Sequence, residues 1–128
     1  MLRTIASTLL LASLAACASA PGGGSAGGSR DVLTAAEISE HPDIRNAYDA
    51  VQRLRPLFLR QRGQTSIRNY GADQIKVYVD GVQAGGIEFL RQINITAVKV
   101  IRYLDARDAT TRYGPGHAGG VIEVTTGA

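Results

Sequence analysis

The chain has 128 residues, with 14 Lys and Arg against 11 Asp and Glu, a formal net charge of +3, one Cys and no Trp. That length holds one domain, and with a leader and linker set aside about a hundred residues remain, enough for a modest core and too few for a large ligand cage. The small basic excess is interspersed with acids and reads as a solvated surface, against a nucleic-acid partner, while a lone cysteine excludes an internal disulfide.

Behind Arg3, residues 5–16 form an apolar run shorter than the ~20 residues that cross a bilayer, so the segment reads as a signal peptide. It ends in Leu14-Ala15-Ala16-Cys17, which resembles the bacterial lipobox, where the cysteine receives diacylglycerol before the peptidase cuts in front of it. The alternative is an ordinary secretory leader cut after Ala18 or Ala20. Lipidation at Cys17 is the expectation, which divides the chain into a leader over 1–16, a Gly/Ser-rich tether over 17–30 and a folded domain over 31–128. Well-studied Gram-negative lipoproteins kept in the inner membrane carry Asp after the cysteine; Ala18 stands here, so the resemblance implies a lipid anchor in the outer membrane, with the periplasmic face expected. The Gly, Ser and Ala of residues 18–29 have no apolar period, and a flexible chain of that length reaches about 20 Å.

In the folded part, Thr34-Ala35-Ala36-Glu37 is a capping-box pattern that predicts a short helix to about Glu40. Asp43 is expected to open a second helix, with Ile44, Ala47, Tyr48, Val51 and Leu54 on its apolar face and a stop at Arg55, ahead of Pro56. Arg53, Arg55, Arg60, Arg62 and Arg68 then cluster, and guanidinium forks suit phosphate or carboxylate. A solvated basic face is the plainer reading. Residues 64–74 predict a loop or ragged strand.

Lys76-Val77-Tyr78-Val79 is β-branched and aromatic, and Asp80-Gly81 supplies the positive φ angles of a two-residue reversal. Ile87, Leu90 and Ile93 recur every three residues like a short helix. Residues 98–104 predict a strand of imperfect alternation. Asp105 is expected to cap a last helix through Tyr113, with Gly114 as its stop and Pro115 behind it, before a glycine-rich loop and a final strand over 121–126. The fold class is α+β: a small mixed sheet with two to four short helices, expected on one face.

The order of these pieces resembles the plug domain of TonB-dependent outer-membrane receptors. That family runs as an apolar strand ending in Val-Asp-Gly-Val, a strand with the pattern Ile-Glu-x-Ile-Glu-Val-Leu, a helix closing on Ala-x-x-x-Tyr-Gly, and Gly-Val-Ile-x-Ile-x-Thr. Residues 77–82, 98–104, 109–114 and 120–126 hold those places. Arg102 replaces an acid usual in the middle strand, Ala106-Arg107 replaces a Gly-Pro, and Pro115-Gly116-His117 stands where an Arg-containing loop is common. No stretch resembles the energy-coupling box, and a receptor barrel of about 22 strands is not expected within this length. The resemblance implies the plug fold without the transport activity.

Catalytic and metal signatures are sparse. His41 and His117 are the two histidines, without Cys or acids at ligand spacing, and a solvated or capping role is expected for each. Asp80 is accounted for by its turn, Ser66 has no Gly-x-Ser-x-Gly setting, and residues 116–120 lack the Lys and Ser or Thr of a phosphate loop. The expectation is a non-enzymatic binding or adaptor lipoprotein with no cofactor and no metal, held to the membrane at Cys17, whose partner is an outer-membrane barrel or a periplasmic coupling protein. Arg60, Arg62, Arg68, Gly116 and His117 are the candidate contact residues. The alternative is a periplasmic domain capturing an anionic solute through Arg60, Arg62 and Arg68.

Overall fold

The computed structural model describes residues 29–61, 71 and 73–127. Its centre is the last strand, β5 (Val121–Thr126), for which the five strands are numbered in chain order. It runs parallel to β2 (Lys76–Val79) and antiparallel to β4 (Val98–Leu104). The edges are β1 (Val32–Thr34), antiparallel to β4, and β3 (Val82–Gly86), antiparallel to β2. The mixed sheet therefore has the order β1-β4-β5-β2-β3. Asp80 at φ 49° and Gly81 at φ 84° make the left-handed reversal between β2 and β3 that the Asp-Gly pair predicts.

Alternation along the strands loads both faces. Val77, Ile122 and Val124 join the main core, whereas Tyr78 and Val121, one residue out of phase, join a second cluster with Leu104 and Ala109. Three α-helices flank the sheet: α1 (Ala35–Ser39), α2 (Ala47–Leu54) and α3 (Ala106–Tyr113). Ile38 of α1 and Ala47, Ala50 and Val51 of α2 pack into the main core. Ala109 and Tyr113 of α3 cover the other face, so the expectation of helices on one face is corrected: a strand apolar at consecutive positions needs cover on both sides. The ragged pattern of β4 has a local cause. A register shift between Val98 and Val100 lets Val98 and Ile101, an odd number of residues apart, both reach the main core.

The cap of α1 forms as predicted, Glu37 N donating to Thr34 Oγ1 at 3.3 Å. Glu37 does not complete a reciprocal box, because Arg55 takes both its oxygens, at 2.8 and 3.0 Å. The start of α2 also differs from the expectation. Ile95 N donates to Arg45 O and Ala47 N to Ile93 O, so residues 45–47 are held as a bridge partner of the 93–95 segment and the helix cannot begin at Asp43. Asn46 caps it instead, its Oδ1 accepting from Asp49 N at 2.8 Å, and Asp43 pairs with Arg53 in solvent. Pro56 ends the helix at Arg55, as expected, and opens a 3-10 turn over Pro56–Leu59 that buries Phe58 and leaves Leu57 66% exposed. The three-residue spacing of Ile87, Leu90 and Ile93 becomes a 3-10 helix over Ile87–Gln92, whose period is three.

Candidate functional site

The glycine-rich loop between α3 and β5 is built around a buried histidine. α3 starts where Asp105 Oδ1 accepts from Arg107 N and Asp108 N, both at 2.9 Å, and stops at Gly114, φ 87°. Pro115 and Gly116 are exposed, and the chain then turns inward at His117, only 4% exposed. His117 Nδ1 lies 2.8 Å from Gly114 O; a carbonyl only accepts, so Nδ1 carries a proton and donates. The other ring nitrogen, Nε2, is 2.9 Å from Tyr78 Oη, which also lies 3.2 Å from Gln83 Oε1. Gly120 N donates back to His117 O at 3.0 Å, closing the loop, and Lys76 N donates to Gly120 O at 3.2 Å, fastening it to β2.

The second half of this cluster lies alongside. Tyr113 stacks on Tyr78 with ring centroids 3.9 Å apart, and its Oη donates to Glu123 Oε1 at 2.8 Å. Arg112 Nη2 reaches the same carboxylate oxygen at 2.8 Å. Burial pushes the Tyr113 phenol above its ordinary value of 10.0; the hydrogen bond and charge of Glu123 push the same way, against Arg112. Tyr113 thus stays protonated and keeps donating throughout the physiological range. Arg102, the departure from an acid in the middle strand, is the cross-strand register partner of Glu123, so an opposite charge faces the buried carboxylate's position. Both nitrogens of His117 are engaged and Glu123 is held from two sides. These bonds fix the loop against β2 and β5.

A further lock joins the hairpin to the end of the sheet. Asp80 Oδ1 accepts from Thr126 N at 2.8 Å and Oδ2 from Thr126 Oγ1 at 2.6 Å. The hydroxyl of Thr126 and then its N–H hold the Asp80 carboxyl below its ordinary value of 3.8, slightly opposed by desolvation. A depressed folded-state value contributes stability that is present above pH 3.8 and lost as pH falls through the lower folded value. Thr126→Val should therefore move the Asp80 carboxyl back toward 3.8 in an NMR titration, and its stability deficit against wild type should shrink on acidification below that pH. An unchanged Asp80 titration in the variant would show that Thr126 Oγ1 is not what holds the carboxylate. Turn chemistry predicts the reversal at Asp80, but not this bond across 46 positions of sequence.

The arginine cluster divides by role. Arg62 and Arg68, like Cys17, lie outside the described residues. Arg55 is structural: besides Glu37, its guanidinium donates to Leu54 O at 2.9 Å and to Val32 O at 3.3 Å, closing the outer edge of β1. Arg53 is spent on Asp43 in an exposed pair that contributes little. Arg60 is exposed beside an open depression of about 390 Å³ shared with Arg30, Asp31, Leu57, Phe58 and Tyr103. Of the candidate contact residues, the structure thus brings Gly116 and His117 together on the loop and sets Arg60 apart from them. Gly116 faces solvent; His117 is buried, not solvated, and acts on the surface by holding the loop's shape. His41 is exposed, on the rim of a mostly apolar hollow of about 450 Å³ with Ile38, Pro42, Ile44 and Val98. Among the described residues no group of three or more His, Cys, Asp or Glu is arranged to hold a metal, and no helix is long and apolar enough to cross a membrane.

A five-stranded mixed sheet helical on both faces, with an Asp-Gly hairpin beside its central strand and a glycine-rich loop locked against it, defines a small α+β module of the plug class. The profile of the TonB-dependent Receptor Plug Domain matches residues 24–121, and the chain belongs to that family. No curated protein and no solved structure matches the chain.

Proposed function

We propose that the chain is a non-enzymatic plug-like lipoprotein, anchored through Cys17 on the periplasmic face of the outer membrane, that docks with another envelope protein. Its family works at the outer membrane, and the partner in this reading is a barrel or a periplasmic coupling protein. The observation that carries the reading is the closed Tyr78–His117 and Tyr113–Glu123–Arg112 cluster beneath the glycine loop. Polar groups satisfied by one another hold a surface in one shape, which lowers the ordering cost of binding a protein. The leader over 1–16 directs export, the tether over 17–30 gives reach, and the domain from 31 onward presents Gly116 and its neighbours.

A photo-crosslinker at Ala118, exposed on the same loop, tests this in cells, with mass spectrometry of what the membrane fraction retains and Cys17→Ala as control. Reproducible capture of one barrel or coupling protein, together with loss of Cys17→Ala to the soluble fraction, is the expected result. Capture of nothing reproducible removes the adaptor role, and turnover of a substrate by the purified domain removes the non-enzymatic one.

A further inference from the structure

Leu57 and Val82 are the two exposed large hydrophobic residues among those described, and they lie toward opposite ends of the sheet. Val82 begins the edge strand β3. Leu57 sits at the other end, where it lines two adjoining depressions, of about 390 and 480 Å³, that share it with Arg30. Arg60 and Tyr103 line the 390 Å³ depression together with Phe58 and Gln61, and Asp31 is the one carboxylate among its lining residues. Arg30 and Arg60 are exposed and form no ion pair within the described residues, unlike Arg53 and Arg55. An apolar tip between two available guanidinium groups and a tyrosine is the composition of an interfacial contact, where the tip enters the acyl boundary and the cations stay with headgroup phosphates.

The position of the chain's amino-terminal segment selects the occupant. The described residues begin at Ser29, next to Arg30, so the segment between Cys17 and Ser29 joins the fold at this patch. With the anchor at Cys17, a flexible chain of the length of residues 18–29 has a root-mean-square span of about 20 Å, which holds the patch near the acyl chains. A patch confined so close to a surface meets it at high effective concentration, and weak apolar and electrostatic terms then suffice to set orientation. The carboxylates of Asp105 and Asp108 line a third depression with Asp31 and Tyr103, which adjoins the patch through those last two residues, so it is the Arg30 and Arg60 side, away from this acidic border, that meets an anionic layer.

We infer that Leu57, Arg30 and Arg60 form a membrane-docking face that binds the anionic phospholipid surface into which the chain is anchored, leaving the glycine loop for the protein partner. This rests on the anchored-lipoprotein reading, and the experiment separates the two. The absence of Trp makes single-Trp variants clean reporters. Mature Leu57→Trp and Val82→Trp chains, purified from envelope membranes and checked by mass for acylation of Cys17, are reconstituted into vesicles whose acyl chains are brominated. The vesicles are either pure phosphatidylcholine or a mixture with phosphatidylglycerol.

Leu57→Trp should show blue-shifted, quenched emission in the mixed vesicles, weaker quenching in phosphatidylcholine, and loss of quenching when Arg30→Glu and Arg60→Glu are added. Val82→Trp should stay unquenched in both. Molar salt, where the Debye length is about 3 Å, should reduce the quenching at Leu57→Trp without releasing the chain. An acylated chain whose Leu57→Trp is as unquenched as Val82→Trp overturns the docking face and leaves the anchor intact. Quenching indifferent to phosphatidylglycerol and to the arginines overturns recognition of the anionic surface. A mature chain without acyl mass on Cys17 overturns the anchor and, with it, the geometry that places this face on the membrane.

Discussion

Gly119→Ala is expected to lower the stability of the domain by about 3 kcal/mol, the upper end of what overpacking costs. A Cβ built at Gly119 would lie 2.4 Å from Asp73 O and 2.6 Å from Gln74 C. Both are backbone atoms of the segment that feeds β2, so no side-chain rotation relieves the clash. Either the loop lifts, breaking Lys76 N to Gly120 O, or β2 shifts against β5. Gly116→Ala is the matched control. Its Cβ would meet nothing nearer than Lys76 Nζ at 3.8 Å, and only its φ of 93° opposes a side chain, a cost of roughly 1–2 kcal/mol. For a domain of this size 1 kcal/mol moves Tm by about 4–8 °C, so thermal unfolding should separate the two variants clearly. Equal losses at the two positions would mean that the loop is not pressed against the chain before β2.

His117→Ala is expected to cost about 3 kcal/mol, by a different route. It removes a buried ring, leaves Gly114 O without its donor, and deprives Tyr78 Oη of one of two partners. The Tyr78–Tyr113 stack then borders a cavity. His117→Gln, which keeps a donor and an acceptor, should recover part of the loss, whereas His117→Phe should fill the volume and leave the carbonyl orphaned. Urea unfolding of the three variants distinguishes the terms. If alanine and phenylalanine behave alike, hydrogen bonding dominates; if glutamine gives no recovery, packing does. Capture at Ala118 should weaken in His117→Ala even where the domain is still folded, because the loop then loses the group that holds it. Undiminished capture would detach the loop's rigidity from partner binding.

Elements governed by neighbours in sequence are the ones that sequence decides here. Asp80-Gly81 demands a left-handed reversal whatever surrounds it, Thr34 and Asp105 cap the helices that follow them, and Pro56 forbids α2 from continuing. The order and spacing of residues 77–82, 98–104, 109–114 and 120–126 carry the resemblance to the plug family, and the family profile over 24–121 agrees.

The tertiary structure decided what depends on contacts between distant positions. Asp43 and Asn46 are both competent caps, and the choice fell to Asn46 because residues 93–95 bind the backbone at 45–47. The two-faced sheet was hidden because consecutive apolar residues in β5 and a register shift in β4 blur the period from which a face is read. The arginines look alike in sequence, yet Arg55 is a strut, Arg53 a surface pair and Arg60 available to solvent, a division set by where Glu37 and Asp43 happen to lie. His117 offers no local sign that it is buried, since its partners Tyr78 and Gly114 are brought to it by the pairing of β2 with β5 and by the stop of α3. Local sterics and capping, which act within a few residues, determined the elements; long-range pairing, which joins polar groups 30 to 50 positions apart, determined the site.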